Sequence, residues 1–149
     1  MTRTVRVAGA ALSVLALAAF ARAADNDRDA VQAVVRSAYV EGVHVKGDAA
    51  LMRAGFHPDF RMFGVRDGAL STTTLEEWAT RVEKARSERK GPAPQIRHEF
   101  TQVDVTGNAA VARVELHRDG KHVFTDYLSL YRFADGWKIV AKTYHTHAN

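Results

Sequence analysis

Apolar side chains recur at helical spacing from Asp27 onward, at Ala30, Val31, Val34, Val35, Ala38 and Tyr39, with acids near the start and Gly47 after the last turn. The spacing predicts an amphipathic helix that Gly47 ends. Asp48 is placed to cap a short second helix through Ala49, Leu51 and Met52, which must finish by His57, because Pro58 disfavours helical backbone in the residue before it. Phe60, Met62 and Val65 predict a strand that reaches a turn at Asp67-Gly68. Thr74-Leu75-Glu76-Glu77 then fits a capping box opening a third helix. Leu75, Trp78, Ala79, Val82 and Ala85 give that helix its buried stripe, and Gly91-Pro92 closes it.

After Gln95 the pattern changes to β-rich segments separated by Thr106-Gly107-Asn108, Asp119-Gly120 and Asp135-Gly136. Four strands in a meander are expected, over residues 96–105, 109–117, 122–133 and 137–146. Helices first and an antiparallel meander afterwards make an α+β domain, with three N-terminal helices packed on a curved, mainly antiparallel sheet. A twisted sheet wrapped around a helix leaves a tapering cavity, so functional groups are expected inside it.

The first residues change what the charge means. Arg3 and Arg6 precede an apolar run from Val7 to Phe20, followed by Ala21-Arg22-Ala23, the order of a secretory signal peptide cleaved after Ala23. The run is shorter than the roughly 20 residues of a spanning helix. The expectation is therefore a periplasmic or secreted protein made of residues 24–149, with no membrane attachment after cleavage. The whole chain has 21 Lys+Arg against 17 Asp+Glu, and removing residues 1–23 takes away three arginines and no acid, leaving 18 against 17. The basic balance belongs largely to the leader and is poor support for nucleic-acid binding. Cysteine is absent, which excludes disulfides and thiol chemistry and leaves stability to the core. No cofactor motif is present: the chain has neither a phosphate-cradling glycine loop nor a serine-nucleophile elbow.

The order of elements acquires a likeness through particular residues. Phe56-His57-Pro58 with Phe60, Gly64 to Gly68, Asp104 to Ala112, Thr125 to Leu130, Gly136 to Val140 and Lys142 to His145 together resemble the nuclear transport factor 2-like superfamily. Within it the chain is most similar to the putative lumazine-binding group, and more distantly to the SnoaL-like polyketide cyclases. The likeness runs from about Asp27 to His145. It implies a cone-shaped fold, a pocket and a homodimer built through the open sheet face; fold does not by itself fix a ligand.

Strand alternation divides the polar residues of the last hairpin. Phe124, Asp126, Leu128 and Leu130 fall on one face, which should be inner, and Trp137, Ile139, Ala141, Thr143 and His145 share a face in the next strand. Asp126 and His145 are thus expected to meet inside, as a carboxylate–imidazole pair able to do acid–base work or, equally, to satisfy itself. Tyr127 and Tyr144 are expected outside, in a dimer contact. His57 lines the pocket or simply caps the second helix through backbone, and His98 faces inward beside Ile96 and Phe100. Tyr39 and Trp78 lie on buried helical stripes, Tyr39 being the better pocket residue because its hydroxyl needs a partner. His145 and His147 share a strand face, yet no third metal ligand stands at a fixed spacing, so His147 reads as part of a frayed tail.

These readings favour an exported domain that binds a small apolar or aromatic molecule, oriented by Tyr39, His57, Trp78, His98, Asp126 and His145. One alternative is a cofactor-free cyclase, isomerase or dehydratase using Asp126 or His145 as general base. Another is a dimeric protein-interaction module.

Overall fold

The computed structural model of the chain describes residues 25–148; the expected signal peptide lies outside the described residues. The first helix, α1, is α-helical over residues 25–34 and continues as a wider helix with i→i+5 hydrogen bonds through Val35–Lys46. Gly47 ends it in the left-handed region (φ 62°), which glycine adopts without a Cβ penalty. Asp48 caps α2 (Ala49–Gly55) by accepting from the backbone N–H of Ala50 and Leu51. The strand β1 (Phe56–Arg66) follows directly. It turns through Asp67 and Gly68, both at positive φ, into β2 (Ala69–Thr74). Thr74 and Glu77 form the reciprocal capping box that opens α3 (Leu75–Ser87).

The meander consists of β3 (Ile96–Thr106), β4 (Ala109–Arg118), β5 (Lys121–Phe133) and β6 (Gly136–Thr146). All six strands form one sheet in the order β2-β1-β6-β5-β4-β3, antiparallel except where β1 lies parallel to β6. The sheet is therefore mixed. The helices are also not consecutive: the β1–β2 hairpin stands between α2 and α3, and β2 was not expected. Its Ser71-Thr72-Thr73-Thr74 run is β-favouring and follows a hairpin turn, but it lacks the buried apolar alternation that marks an inner strand.

Helices and sheet close on a core in which Tyr39, Met52, Phe56, Phe60, Leu116, Leu128, Leu130 and Ile139 are fully buried. Phe56, Phe60 and Trp78 pack at its centre with ring centroids 4.8 to 5.8 Å apart. Each such side chain contributes about 1.5–3 kcal/mol on leaving water, which matters in a chain without cross-links. Of the stripe expected on α3, Leu75, Trp78 and Ala79 are buried, Val82 is half-buried and Ala85 is exposed.

Four irregularities set where side chains point, one of them Thr101, which is extra between β3 and β4. Between β5 and β6, Ser129 pairs with Ala141 but Leu130 pairs with Ile139, so Val140 is an extra residue. Val123 is extra in the same way between β4 and β5. In β1, five residues from Phe56 to Arg61 span only two of β6 from Ile139 to Ala141, around Pro58, which has no N–H to give the ladder. Each bulge reverses the face of every residue beyond it.

The α1–α2 corner depends on contact closer than a methyl group permits. A Cβ on Gly55 would lie 2.4 Å from the Cβ of Ala38. Gly55→Ala should therefore destabilise the fold by about 1–3 kcal/mol through overpacking, read as a lowered midpoint in urea denaturation at unchanged m-value.

Candidate functional site

The site is built where α1, α3, β5 and β6 meet. Asp126 on β5 is fully buried, and the Nζ of Lys142 on β6 lies 2.6 Å from its Oδ1. The hydroxyl of Tyr39 donates to Oδ2. Lys142 is itself only 4% exposed, and its ammonium stands 4.1 Å from the ring centre of Tyr144 and 5.4 to 5.8 Å from those of Tyr39, Phe124 and Trp78. Four aromatic faces thus surround a cation held by a single carboxylate. His44, five residues after Tyr39, packs edge-on to it at 4.8 Å. In an α-helix, residues five apart point about 140° away from each other; in the wider helix they lie nearly one above the other.

A cavity of about 660 Å³ opens over this group. Its walls are Tyr39, Trp78, Phe124 and Tyr144, with Met62 and Val82, and Lys142 and His44 look into it. Arg81, Arg89 and Arg118 also line it, and among the described residues no carboxylate does. None of these arginines forms a salt bridge among the described residues.

Burial governs the proton affinities. It raises the Asp126 carboxyl above its ordinary range, against the opposing pull of Lys142 and Tyr39, and it lowers the Lys142 amine, against the pull of Asp126. The acid and the amine thereby approach one another in proton affinity, so passing a proton between them costs less than it would in water. Burial, then the charge of Asp126, lifts the Tyr39 phenol well above its usual value. Burial, then the charges of Lys142 and Arg118, depresses His44 from 6.5 to about 3. His44 is a neutral imidazole at neutral pH, and its buried Nε2 has no hydrogen-bond partner.

The structure brings together three of the six residues expected at a site. Asp126 points inward, Tyr39 finds its partner in Asp126, and Trp78 serves both core and cavity wall. His145 does not join them. The extra Val140 inverts the remainder of β6, so Lys142 is buried and Tyr144 lines the cavity, while His145 is exposed on the outer face opposite Thr125. Tyr144 is thus corrected from outside to inside, and Tyr127 remains exposed outside. His57 lies away from the cavity, in the irregular part of β1: its Nδ1 accepts from the Asp59 N–H at 3.1 Å and its ring stacks on Phe133. His98 packs edge-on to Phe100, half-buried and outside the cavity lining.

Lys142 and His44 were missed. Lys142 follows an irregularity that strand parity does not reveal, and His44 lies off the α-helical stripe. Arg81, Arg89 and Arg118 line the cavity as exposed side chains, and no sequence pattern singles them out.

Comparison with known proteins agrees with this architecture. A family model described as putative lumazine-binding matches residues 26–145. An NTF2-like protein of unknown function from Shewanella baltica is 28% identical, superposes with a TM-score of 0.68, and the match covers 83% of this chain and 96% of that one. A second, from Silicibacter pomeroyi, is 24% identical with a TM-score of 0.66, over 80% of this chain and 94% of that one. Among curated proteins, the aldolase FrzH of a Cladobotryum species is 25% identical over 118 residues, 77% of this chain and 90% of that protein.

His44 makes the fold acid-sensitive in a stated direction. Its folded-state pKa of about 3 lies below the 6.5 of the unfolded chain, so its contribution to stability is complete above pH 6.5 and is lost as pH falls towards 3. The whole window corresponds to on the order of 5 kcal/mol. Denaturation measured across that range should show a shallower acid loss in His44→Gln than in the unaltered chain.

Proposed function

The chain belongs to the putative lumazine-binding family of NTF2-like proteins, and from that premise we propose that it is an exported binder of a flat, conjugated small molecule carrying an anionic group. The cavity lining carries this reading: four aromatic rings, four cationic side chains and no carboxylate. A volume of about 660 Å³ suits a small ligand. The aromatic walls favour a planar ring system. Asp126 already balances the charge of Lys142, whereas Arg81, Arg89 and Arg118 have no such counter-charge among the described residues. An anion on the ligand would supply one. The bare His44 Nε2 would accept from or donate to a ring nitrogen or carbonyl, removing the cost of roughly 1–3 kcal/mol that a buried unpaired polar atom carries.

The expected ligand changes in one respect. A merely apolar molecule would make no use of the three cavity-lining arginines and would leave His44 unpaired, so anionic character is part of the proposal. Export is supported by the leader-like pattern of residues 1–23. Assembly through the outer sheet face is supported by the exposed rings of Tyr127 and Tyr131.

A second reading keeps the cavity and adds turnover of a carbonyl compound. It is favoured by the curated relative being an aldolase and by the buried Tyr39–Asp126–Lys142 set, in which Lys142 is the member of the ion pair that faces the cavity. Asp126 would then act as base through Lys142 or Tyr39, not by direct contact.

Titration of the chain with lumazine, with naphthoate and with the uncharged naphthamide, followed by tryptophan fluorescence, tests the binding proposal. Saturable quenching that is lost in Trp78→Phe is expected for the anionic ligands. Arg81→Ala with Arg89→Ala should weaken naphthoate by about tenfold or more, the loss of a charged contact, and leave naphthamide nearly unchanged. Equal binding of both compounds, or quenching by none, would overturn it; conversion of a bound carbonyl ligand, abolished in Asp126→Asn, would favour the second reading.

A further inference from the structure

The opposite face of the sheet carries a second concentration of chemistry. Glu115 on β4, His122 at the start of β5 and His147 just beyond β6 each direct one ligand atom into a common space, with all three atoms within 4.8 Å of one another. The His122 Nε2 lies 2.8 Å from Glu115 Oε2 and 3.1 Å from the carbonyl oxygen of Phe124. The His147 Nε2 lies 2.9 Å from the hydroxyl of Thr125, which donates to the same Glu115 oxygen. The geometry points to a site for one first-row divalent transition-metal ion of the zinc type, held by Glu115, His122 and His147.

Several observations carry this beyond a chance meeting of polar groups. Glu115 is only 8% exposed although it faces outward. The Arg113 guanidinium holds its other oxygen at 2.7 Å, which fixes the carboxylate plane and leaves Oε2 facing the histidines. The His122 and His147 rings stack at 3.7 Å between centroids, which holds the two imidazoles side by side at the cluster. The Phe124 carbonyl and the Thr125 hydroxyl now contact the His122 and His147 Nε2 atoms, hydrogen bonds that a bound ion would replace.

The segment that follows β6 is built into the site. Far from fraying, the segment after β6 is tied down by a 3.0 Å hydrogen bond from the His147 N–H to the Val123 carbonyl. Val123 is the extra residue between β4 and β5, and the register shift it makes sets His117 opposite His122. Two bulges thus bring together residues that regular strands would separate.

Imidazole and carboxylate together suit zinc and its neighbours better than calcium or magnesium, which prefer all-oxygen shells. With zinc–nitrogen and zinc–oxygen bonds near 2.0–2.2 Å, tetrahedral ligand atoms lie about 3.3 Å apart. The present separations reach that by movements of little more than an ångström. Three protein ligands leave a fourth position for water or for a group from another molecule.

Isothermal titration of the untagged chain with Zn²⁺, and separately with Mg²⁺, tests the site. One Zn²⁺ per chain and no Mg²⁺ binding are expected. His147→Ala and His122→Ala should each weaken zinc by roughly tenfold or more, the minimum expected for a lost ligand given the effect of outer-shell changes, while His145→Ala leaves it unchanged. Zinc should also raise the melting temperature of the unaltered chain and not that of His147→Ala. Because His147 lies beyond the last residue of β6, that variant tests the site even if His122→Ala folds poorly. No zinc binding, or the same affinity in His147→Ala, would overturn the assignment.

Discussion

The ion pair between Lys142 and Asp126 is the constraint around which the rest of the domain is arranged. Asp126 is fully buried and Lys142 only 4% exposed, so both charges depend mainly on partners within the fold. Tyr39 gives the carboxylate its second partner, and the rings of Tyr39, Trp78, Phe124 and Tyr144 surround the ammonium. Those groups come from α1, α3, β5 and β6. The pair thus ties helical layer to sheet at the floor of the cavity, and it fixes the position of the residues that a ligand would meet. Removing one partner from such a buried pair typically costs about 3–5 kcal/mol, since the other is left uncompensated. A ligand site resting on so rigid a floor is preformed, with its aromatic walls held in place by the same contacts that stabilise the core.

Most of the fold was legible because local signals and long-range packing agree. Gly47, Asp48, the Thr74–Glu77 box and the Gly-containing turns mark element ends through backbone chemistry that does not depend on distant residues. The meander boundaries follow from period-two patterning between those turns. The edge strand β2 escaped because it is solvated and short, so packing never imprinted the alternation by which strands are recognised. The parallel pairing of β1 with β6 escaped for another reason: nothing local to either strand specifies which distant edge it will join.

The candidate site was legible only in part, and the reason is the same for each miss. Asp126 and Tyr39 obey the regular periods of strand and helix, and both were found. Lys142, Tyr144 and His145 come after Val140, where the period slips by one, and His44 follows Tyr39 in a stretch wound more loosely than an α-helix. His147 gains a fixed place through its backbone bond to Val123 and its ring contacts with Thr125 and His122. Regular geometry predicts regular faces; the chemistry of this domain collects where the geometry is irregular, since a bulge or a widened turn can place two polar groups side by side that ideal elements would hold apart.

Val140 also bears on descent. A substitution alters one side chain, but the loss or gain of a single residue at this point would exchange whole rosters, withdrawing Lys142 and Tyr144 from the interior and turning Thr143 and His145 towards it. Two lineages could keep nearly identical letters along this strand and still present different interiors. Correspondence between relatives is therefore better judged by which way a residue faces than by the column it occupies, and a one-residue gap in an alignment here would mark a change of chemistry greater than most substitutions could make.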